Sequence, residues 1–552
     1  MKFWQRQGAA LADLLARCWR RLDSNAMLVG TALLLPILSG LVSLSYGQDD
    51  NWDLLNYHYY TPYALLNARI GYDLAPSQWQ SYFNPTLDLL YYGLQQVCRP
   101  QMVGFLMGWL HGLNAVLVLA IARLALPTAS HRLAAVLLAL AGCLQPGFLS
   151  GVGNSMGDNL TALFVLGALL LLLRGWARLQ QGGQPGLRVA LLAGLVIGIG
   201  TGLKLTNAIH ALAMCLAMVA VLPLPFWRRL QQPFVFGLGV LGGIALSAGH
   251  WYWRMWQVFG NPLFPQFNNY FQAPLASPLG IGDTGWLPQG WAEKVFWPFF
   301  FYLMPNSISE IKFSLVIWPV LYVLAFALAW VKARPAVLRL PATTPLRGEV
   351  RFLFAFAVLV YLLWLHLFSI YRYLIPLELL APLLLWLLLE GLAPRLASSG
   401  GAVAAVVLLT LAAVPPGDWG HAGWDQQAFR AEVPALAAPR DNLVFTVHGD
   451  PPMSWLIPSF PRELAFVSLG SGFPESAAYR ERVAAMLAAR RGPYYVMLHT
   501  SYKEAPRSLL PRLVLGRYGL RMAPEQCVEY AAAVGKNRHD YMLCPVYLRQ
   551  RN

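Results

Sequence analysis

The chain has 552 residues, 57% of them hydrophobic and 12% charged, with a mean hydropathy of +0.47. A soluble domain carries roughly a quarter charged residues, so the composition excludes an ordinary soluble protein and indicates a polytopic helical membrane protein. The formal charge of +15 does not indicate nucleic acid as a partner, because the basic residues lie between apolar runs and in the tail and form no basic stripe with interleaved aromatics.

In chain order, residues 1–25 form a basic, amphipathic lead-in. The apolar run that follows, 26–46, is longer than a signal-peptide core and has no A-x-A site after it, so it is expected to be an uncleaved anchor. Further runs at 102–122, 133–150, 159–173, 189–203, 207–224, 234–250, 313–331, 352–368, 374–390 and 401–414 raise the expectation to about eleven transmembrane helices. Those at 159–173, 189–203 and 401–414 are short enough to tilt, thin the bilayer or re-enter. Lys and Arg concentrate in the alternate connections that share a side with the N-terminus. That bias predicts a cytoplasmic N-terminus and an extracytoplasmic, periplasmic-side tail in a multi-pass plasma (inner) membrane protein.

Two connections, 47–101 and 251–312, are long outer loops. "WDLLNYHYYTPYALLNAR" has near-helical spacing of Leu54, Tyr57, Tyr60 and Ala64, which predicts a helix lying along the membrane surface with its aromatics at headgroup depth. "WYWRMWQVFGNPLFPQFNNYF" and "WPFFFYLMPNS" read as interfacial or re-entrant pieces closing over a cavity. From about 415 the character changes. "NLVFTVHG" and "RGPYYVMLHT" predict strands, and "PESAAYRERVAAMLAARR" predicts a helix with Ala478, Val483, Met486 and Leu487 on one face. Residues 415–552 therefore read as a small extracytoplasmic α/β domain. Cys527 and Cys544 are the only cysteines in it. An oxidising compartment makes them a disulfide pair, the alternative being two buried thiols.

Four stretches could carry chemistry. In "DDNWDLLNYH", a helix would place Asp50, Asp53 and Tyr57 on one face with Asp49 beside it. Such a carboxylate could act as a base, or Asp49, Asp50 or Asn51 could cap the helix. Capping suits one of the three acids and accounts poorly for Asp53. In "GNSMGDNLT", Asp158 either meets a hydroxyl-rich ligand, a metal or a buried cation, or caps the next helix. In "GTGLKLTN", Lys204 either snorkels to headgroups or contacts an anion, and Gly198, Gly200 and Gly202 permit close helix packing. In "FSIYRYLIPLELLAP", Arg372 either holds a phosphate or anchors to lipid headgroups, and Glu378 is expected to pair with an internal Arg or Lys. Carboxylates and fixed cations from several outer edges suit transfer from a donor with a phosphate leaving group. The carboxylate takes the acceptor proton and the cations hold the departing phosphate.

At these residues the chain resembles the GT-C superfamily of polytopic glycosyltransferases. "NWDLLNYHYYTPYALLNARIGYD" looks like the first outer loop of that group: Trp52, Asp53, Tyr57 and His58 match its Trp-Asp-x-x-x-Tyr-His form, and Asp49-Asp50 loosely matches its Asp-Glu form. "YRYLIP" resembles its Arg-Tyr-x-x-Pro turn, and "FGNPLFPQFN" a loop of the same group. The resemblance covers nearly all of 26–414. It implies an inverting glycosyltransferase that takes a sugar from a polyprenyl-phosphate donor, with membrane lipids around it and a glycan, lipid or protein as acceptor. It implies a first-loop base, Asp53 ahead of Asp50 and Asp49. Donor phosphate would sit on Arg372, Lys204 and Tyr373, and substrate on Tyr57, His58, Asp158, Asn159, Asn261 and Asn268. No cofactor is certain: some members use a divalent metal (Mg or Mn) and others none. The alternatives are a ligase or polymerase of lipid-linked glycans and a lipid or sugar transporter.

Overall fold

The computed structural model describes residues 23–126, 131–280, 282–333, 346–393, 400–412, 417–504 and 507–549. Most of the expected lead-in over 1–25 and the expected boundary near 414 lie outside them. The chain is mainly helical, with a C-terminal β-sheet region. Among the described residues, six helical segments are long and apolar enough to cross a membrane: Asn25–Tyr46, Pro100–Ala125, Gly183–Leu203, Phe226–Phe259, Gly348–Leu367 and Tyr371–Leu392.

This count is smaller than the expected eleven. The other five runs fall on Arg132–Cys143, Asp158–Arg174, Ala208–Val221, Ile317–Ala333 and Gly400–Leu411. None exceeds 17 residues, or about 26 Å at 1.5 Å per residue, against a hydrocarbon core of about 30 Å. Apolar character carried these runs into the count; the first of them is cut short at Cys143, with Pro146 opening the next short helix.

Glycine sets how closely the helices approach. Gly194 and Gly198 lie so near the Phe226–Phe259 helix that an added Cβ would stand 2.1 Å from the Phe236 carbonyl oxygen and 2.3 Å from that of Val240. Gly202 faces Ser247 of that helix, whereas Gly200 turns the other way, toward Phe164. This is small-residue packing of the kind that joins helices in lipid, where apolar burial supplies no drive. The same Phe226–Phe259 helix has 34 residues, about 51 Å, and so outruns the bilayer core. "WYWRMWQVF" is thus its continuation instead of a separate interfacial piece, with Trp251 and Met255 buried against the tail.

The strands are β1 (Gln48–Asp49), β2 (His421–Ala422), β3 (Phe429–Ala431), β4 (Leu443–Val447), β5 (Ala465–Leu469), β6 (Tyr494–His499), β7 (Leu520–Met522), β8 (Val528–Tyr530), β9 (Ala532–Val534), β10 (Asn537–Arg538) and β11 (Tyr541–Leu548). The main sheet runs β5-β4-β6-β11-β7, with β8 also on β11; β4 is parallel to β5 and β6, and β11 antiparallel to its neighbours. β4 is buried on both faces, as parallel strands usually are. Cys527 and Cys544 are joined by a disulfide beside the β8–β11 pairing. The Ala477–Ala488 helix buries Tyr479, Val483, Met486 and Leu487; Ala478 is only partly buried and Tyr479 takes the inner place.

The first loop is built into this sheet. Leu74 bridges Val467, so the loop covers the β5 edge that would otherwise offer unpaired backbone, while β1 pairs with β2 in a separate two-stranded sheet. Leu55, Tyr60 and Tyr63 pack with Trp455, Leu456 and Val444 of the tail. Tyr60 and Tyr63 are therefore core residues packed against the tail. The ladder supplies an apolar partner that sequence spacing does not reveal.

Candidate functional site

The three first-loop acids turn in three directions. Neither Asp49 nor Asp50 caps the helix; Asn51 does, its Oδ1 accepting the Leu54 N–H at 2.8 Å. Asp49 accepts the Asn51 amide at 2.6 Å and the Ser155 backbone N–H at 2.7 Å, which ties β1 to the 151–157 turn. Burial raises its pKa above the usual carboxylate value, opposed by His421 and by hydrogen bonds from Ser155 and Asn51. Asp50 faces the tail: His539 Nε2 lies 2.8 and 3.0 Å from its two oxygens and the Asn537 amide donates to it at 2.8 Å.

Asp53 alone points to the cations. The chain becomes helical at Trp52 and runs on as a π-helical turn over Leu54–His58, so Asp53 and Asp50 do not share the face that an α-helix from Asp50 would give them. Arg372 Nη1 stands 3.2 Å from Asp53 Oδ2 and 3.5 Å from Asp158 Oδ2, and its Nε stands 3.1 Å from Glu310 Oε1. Lys204 Nζ lies 2.7 Å from Asp158 Oδ1 and donates to the Met156 carbonyl at 2.8 Å. Tyr373 lies beneath both cations, 5.1 Å from the Arg372 guanidinium carbon and 5.7 Å from Lys204 Nζ. Burial lowers the Lys204 amine from its ordinary value, with Asp158 opposing the shift. Burial, then the Asp53 charge, holds the Tyr57 phenol well above its ordinary value, so it stays neutral.

Local structure explains each placement. Asp158 is the first residue of the Asp158–Arg174 helix, and Gly157, with φ of +83°, occupies the cap position. The acid is therefore free to reach Lys204, which closes the Gly183–Leu203 helix. Arg372 sits in the 3-10 turn Tyr371–Leu374 that leads into Ile375–Leu392. The Arg372 side chain is 17% exposed and Asp53 11%, while Glu310 at 30% forms the open rim. Three carboxylates thus share two cations at helix ends, in a cluster open on one side.

Other expected residues lie elsewhere. His58 Nδ1 is 2.7 Å from Asp88, whose second oxygen accepts the Thr61 hydroxyl at 3.2 Å. The Asn159 amide donates to the Phe148 carbonyl. Asn261 and Asn268, both fully buried, spend their amides on the 261–277 turns; these three asparagines build loops and are not brought to the cluster. Glu378 has no Arg or Lys partner among the described residues. It accepts the Gly147 and Phe148 N–H groups at 2.9 and 2.7 Å and the Tyr371 hydroxyl at 2.9 Å, so backbone donors take the place of the expected cation.

Sequence reading missed Glu310, Asp88, Asn537 and His539. Glu310 had a faint signal, an acid in the short polar stretch "NSISEIKF" after an aromatic run. His539 had none, because its partner Asp50 is 489 positions away.

The resemblance left a divalent metal open. Asp53, Asp158 and Glu310 are each bound to Arg372 or Lys204, and among the described residues no group of three or more His, Cys, Asp or Glu side chains could hold a metal ion. These donors do not fit a resident Mg or Mn ion. Compared with models of protein families, with curated proteins and with solved structures, the chain finds no match in any of the three.

Proposed function

We propose that the chain is an inverting glycosyltransferase of the GT-C kind, moving a sugar from a polyprenyl-phosphate donor to a hydroxyl or amine of a glycan, lipid or protein at the outer face of the membrane. The observation that carries this reading is the convergence of Asp53, Asp158, Lys204 and Arg372, from four separate chain segments, at helix ends. A lipid phosphate reaching the helix ends would meet Arg372 and Lys204 there. Because Arg372 can bind phosphate through two parallel N–H bonds, the donor competes with Asp53 for the guanidinium. Displaced from its cation, the Asp53 carboxylate has a lone pair free to accept a proton. It takes the proton of the acceptor O–H or N–H as that atom bonds to the anomeric carbon from the opposite face. The anomeric carbon–oxygen bond breaks, the electron pair leaves on the phosphate, and Arg372 and Lys204 hold the charge.

The reading also places the N-terminus in the cytoplasm and the tail outside, with the short apolar helices completing the crossings as tilted or paired segments. The Cys527–Cys544 disulfide suits an oxidising compartment. The test is purified protein with a panel of radiolabelled polyprenyl-phosphate sugars, scored for product in wild type and Asp53→Asn. Product in the first and its loss in the second support the reading. Substrate transport in liposomes with no glycosyl product would sink it.

A further inference from the structure

The tail carries a second constellation one residue from Asp53. In open sheets with parallel strands, ligands bind outside the carboxyl ends, where the strand order reverses. Here β4 is central, β5 lies on one side and β6 on the other, so the reversal falls between β4 and β6. The β5 side is filled: Gln78 of the first loop donates to the Gly449 carbonyl at 3.0 Å and accepts the Gly472 N–H at 3.1 Å. The β6 side is bordered by Asp450 after β4, by His499 at the end of β6, by Ser501 just past it, and by Arg507.

These groups have free capacity. The Trp52 indole N–H donates to Asp450 Oδ1 at 3.3 Å, yet Trp52 remains 39% exposed. Arg507 donates to Ser501 Oγ at 3.2 Å and stands 3.9 Å from Asp450, and both charged side chains are about half exposed, at 48% and 54%. His499 Nδ1 accepts the Ser501 N–H, so the neutral ring carries its proton on Nε2. Burial, then His539 and Arg507, lowers its pKa, which keeps the ring neutral near pH 7. Paired acceptors and donors around an exposed indole face match a ligand with adjacent hydroxyls and an apolar ring face. The single Arg is already matched by Asp450, so the edge has no surplus cation to select a phosphate.

We infer that the β4–β6 edge of the tail, with Trp52, Asp450, His499 and Arg507, is a saccharide-binding subsite that presents the acceptor to Asp53. Trp52 immediately precedes Asp53 in the chain, which sets this edge beside the first-loop turn that carries the base. The role as acceptor site rests on the glycosyltransferase reading; saccharide binding does not.

The experiment uses the full chain in detergent, with two probes titrated separately by calorimetry. One is a panel of di- to tetrasaccharides of hexoses, N-acetylhexosamines and hexuronates; the other is undecaprenyl phosphate. Wild type is expected to bind at least one saccharide. Trp52→Ala, which removes the apolar ring face, and Asp450→Asn, which removes a charged acceptor, should each weaken it about tenfold or more, with unchanged thermal melts and unchanged polyprenyl-phosphate affinity. Arg507→Gln, an exposed position, provides a third variant. Arg372→Ala should do the reverse. A wild type that binds no saccharide, or saccharide binding that survives all three edge variants, overturns the inference. Trp52-dependent saccharide binding without polyprenyl-phosphate binding upholds the subsite and counts against the donor reading.

Discussion

The cluster around Arg372 and the seam around Asp49 and Asp50 are both built from first-loop carboxylates, yet they do different things. In the seam, the acids meet groups that belong to the fold: the Ser155 N–H, the Asn51 and Asn537 amides and a histidine of the tail. In the cluster, Asp53 meets a guanidinium that Asp158 and Glu310 also approach. A bond to backbone is lost only when the fold opens, whereas a shared cation can pass to an incoming phosphate. The partner, more than the acid or its burial, separates a structural carboxylate from a candidate base.

That contrast can be broken first at Asp53. Asp53→Asn is expected to lower transfer by about 10²–10⁴-fold, the usual worth of a general base, with the melting temperature nearly unchanged; single-turnover kinetics and a thermal melt read the two quantities. Arg372→Ala should cost about 10²–10³-fold in kcat, as for other groups that stabilise developing charge. Arg372→Lys should recover only part, because an ammonium lacks the two-pronged fork.

On the seam the expected effects reverse. Asp49→Ala leaves the buried Ser155 N–H without its acceptor and the Asn51 amide with only the Ser155 hydroxyl, at a cost of about 1–3 kcal/mol, visible as a lower denaturation midpoint with the turnover of folded protein retained. Asp50→Asn removes the charged partner of His539 and should loosen the tail from the first loop, read as faster proteolysis or amide exchange over β9 to β11, with a smaller stability loss. A large kcat loss in Asp49→Ala or Asp50→Asn at full folding would show that the division between seam and cluster is false.

The smallest effect concerns pH. Burial lowers the Lys204 amine, so its ammonium is present below that lowered value and is lost as the pH rises through it, before an exposed lysine titrates. The unfolded chain still holds the proton in that interval, so this group's contribution to stability becomes more favourable as pH rises there, while phosphate binding weakens. Lys204→Arg should move the alkaline limb of donor binding upward, because a guanidinium keeps its proton.

Some of this was legible in the residues. Hydropathy marked a helical membrane body, period and turn residues marked β4, β6 and the Ala477–Ala488 helix, and local spacing flagged Asp53, Asp158, Lys204 and Arg372 one by one. These are short-range properties: burial preference, backbone preference and charge against an apolar background are written within about twenty residues. Which acid meets which cation is not. Asp53 and Arg372 are 319 positions apart and Asp50 and His539 are 489 apart. Only the packed helices and the sheet ladder bring them together. Likewise, spacing set Tyr57 and Tyr60 on a helix along the membrane surface, and the tertiary structure packed Tyr60 against Trp455, Leu456 and Val444 of the tail. Residue pattern determined what each segment prefers to bury or expose, and the tertiary structure alone decided what it is buried against.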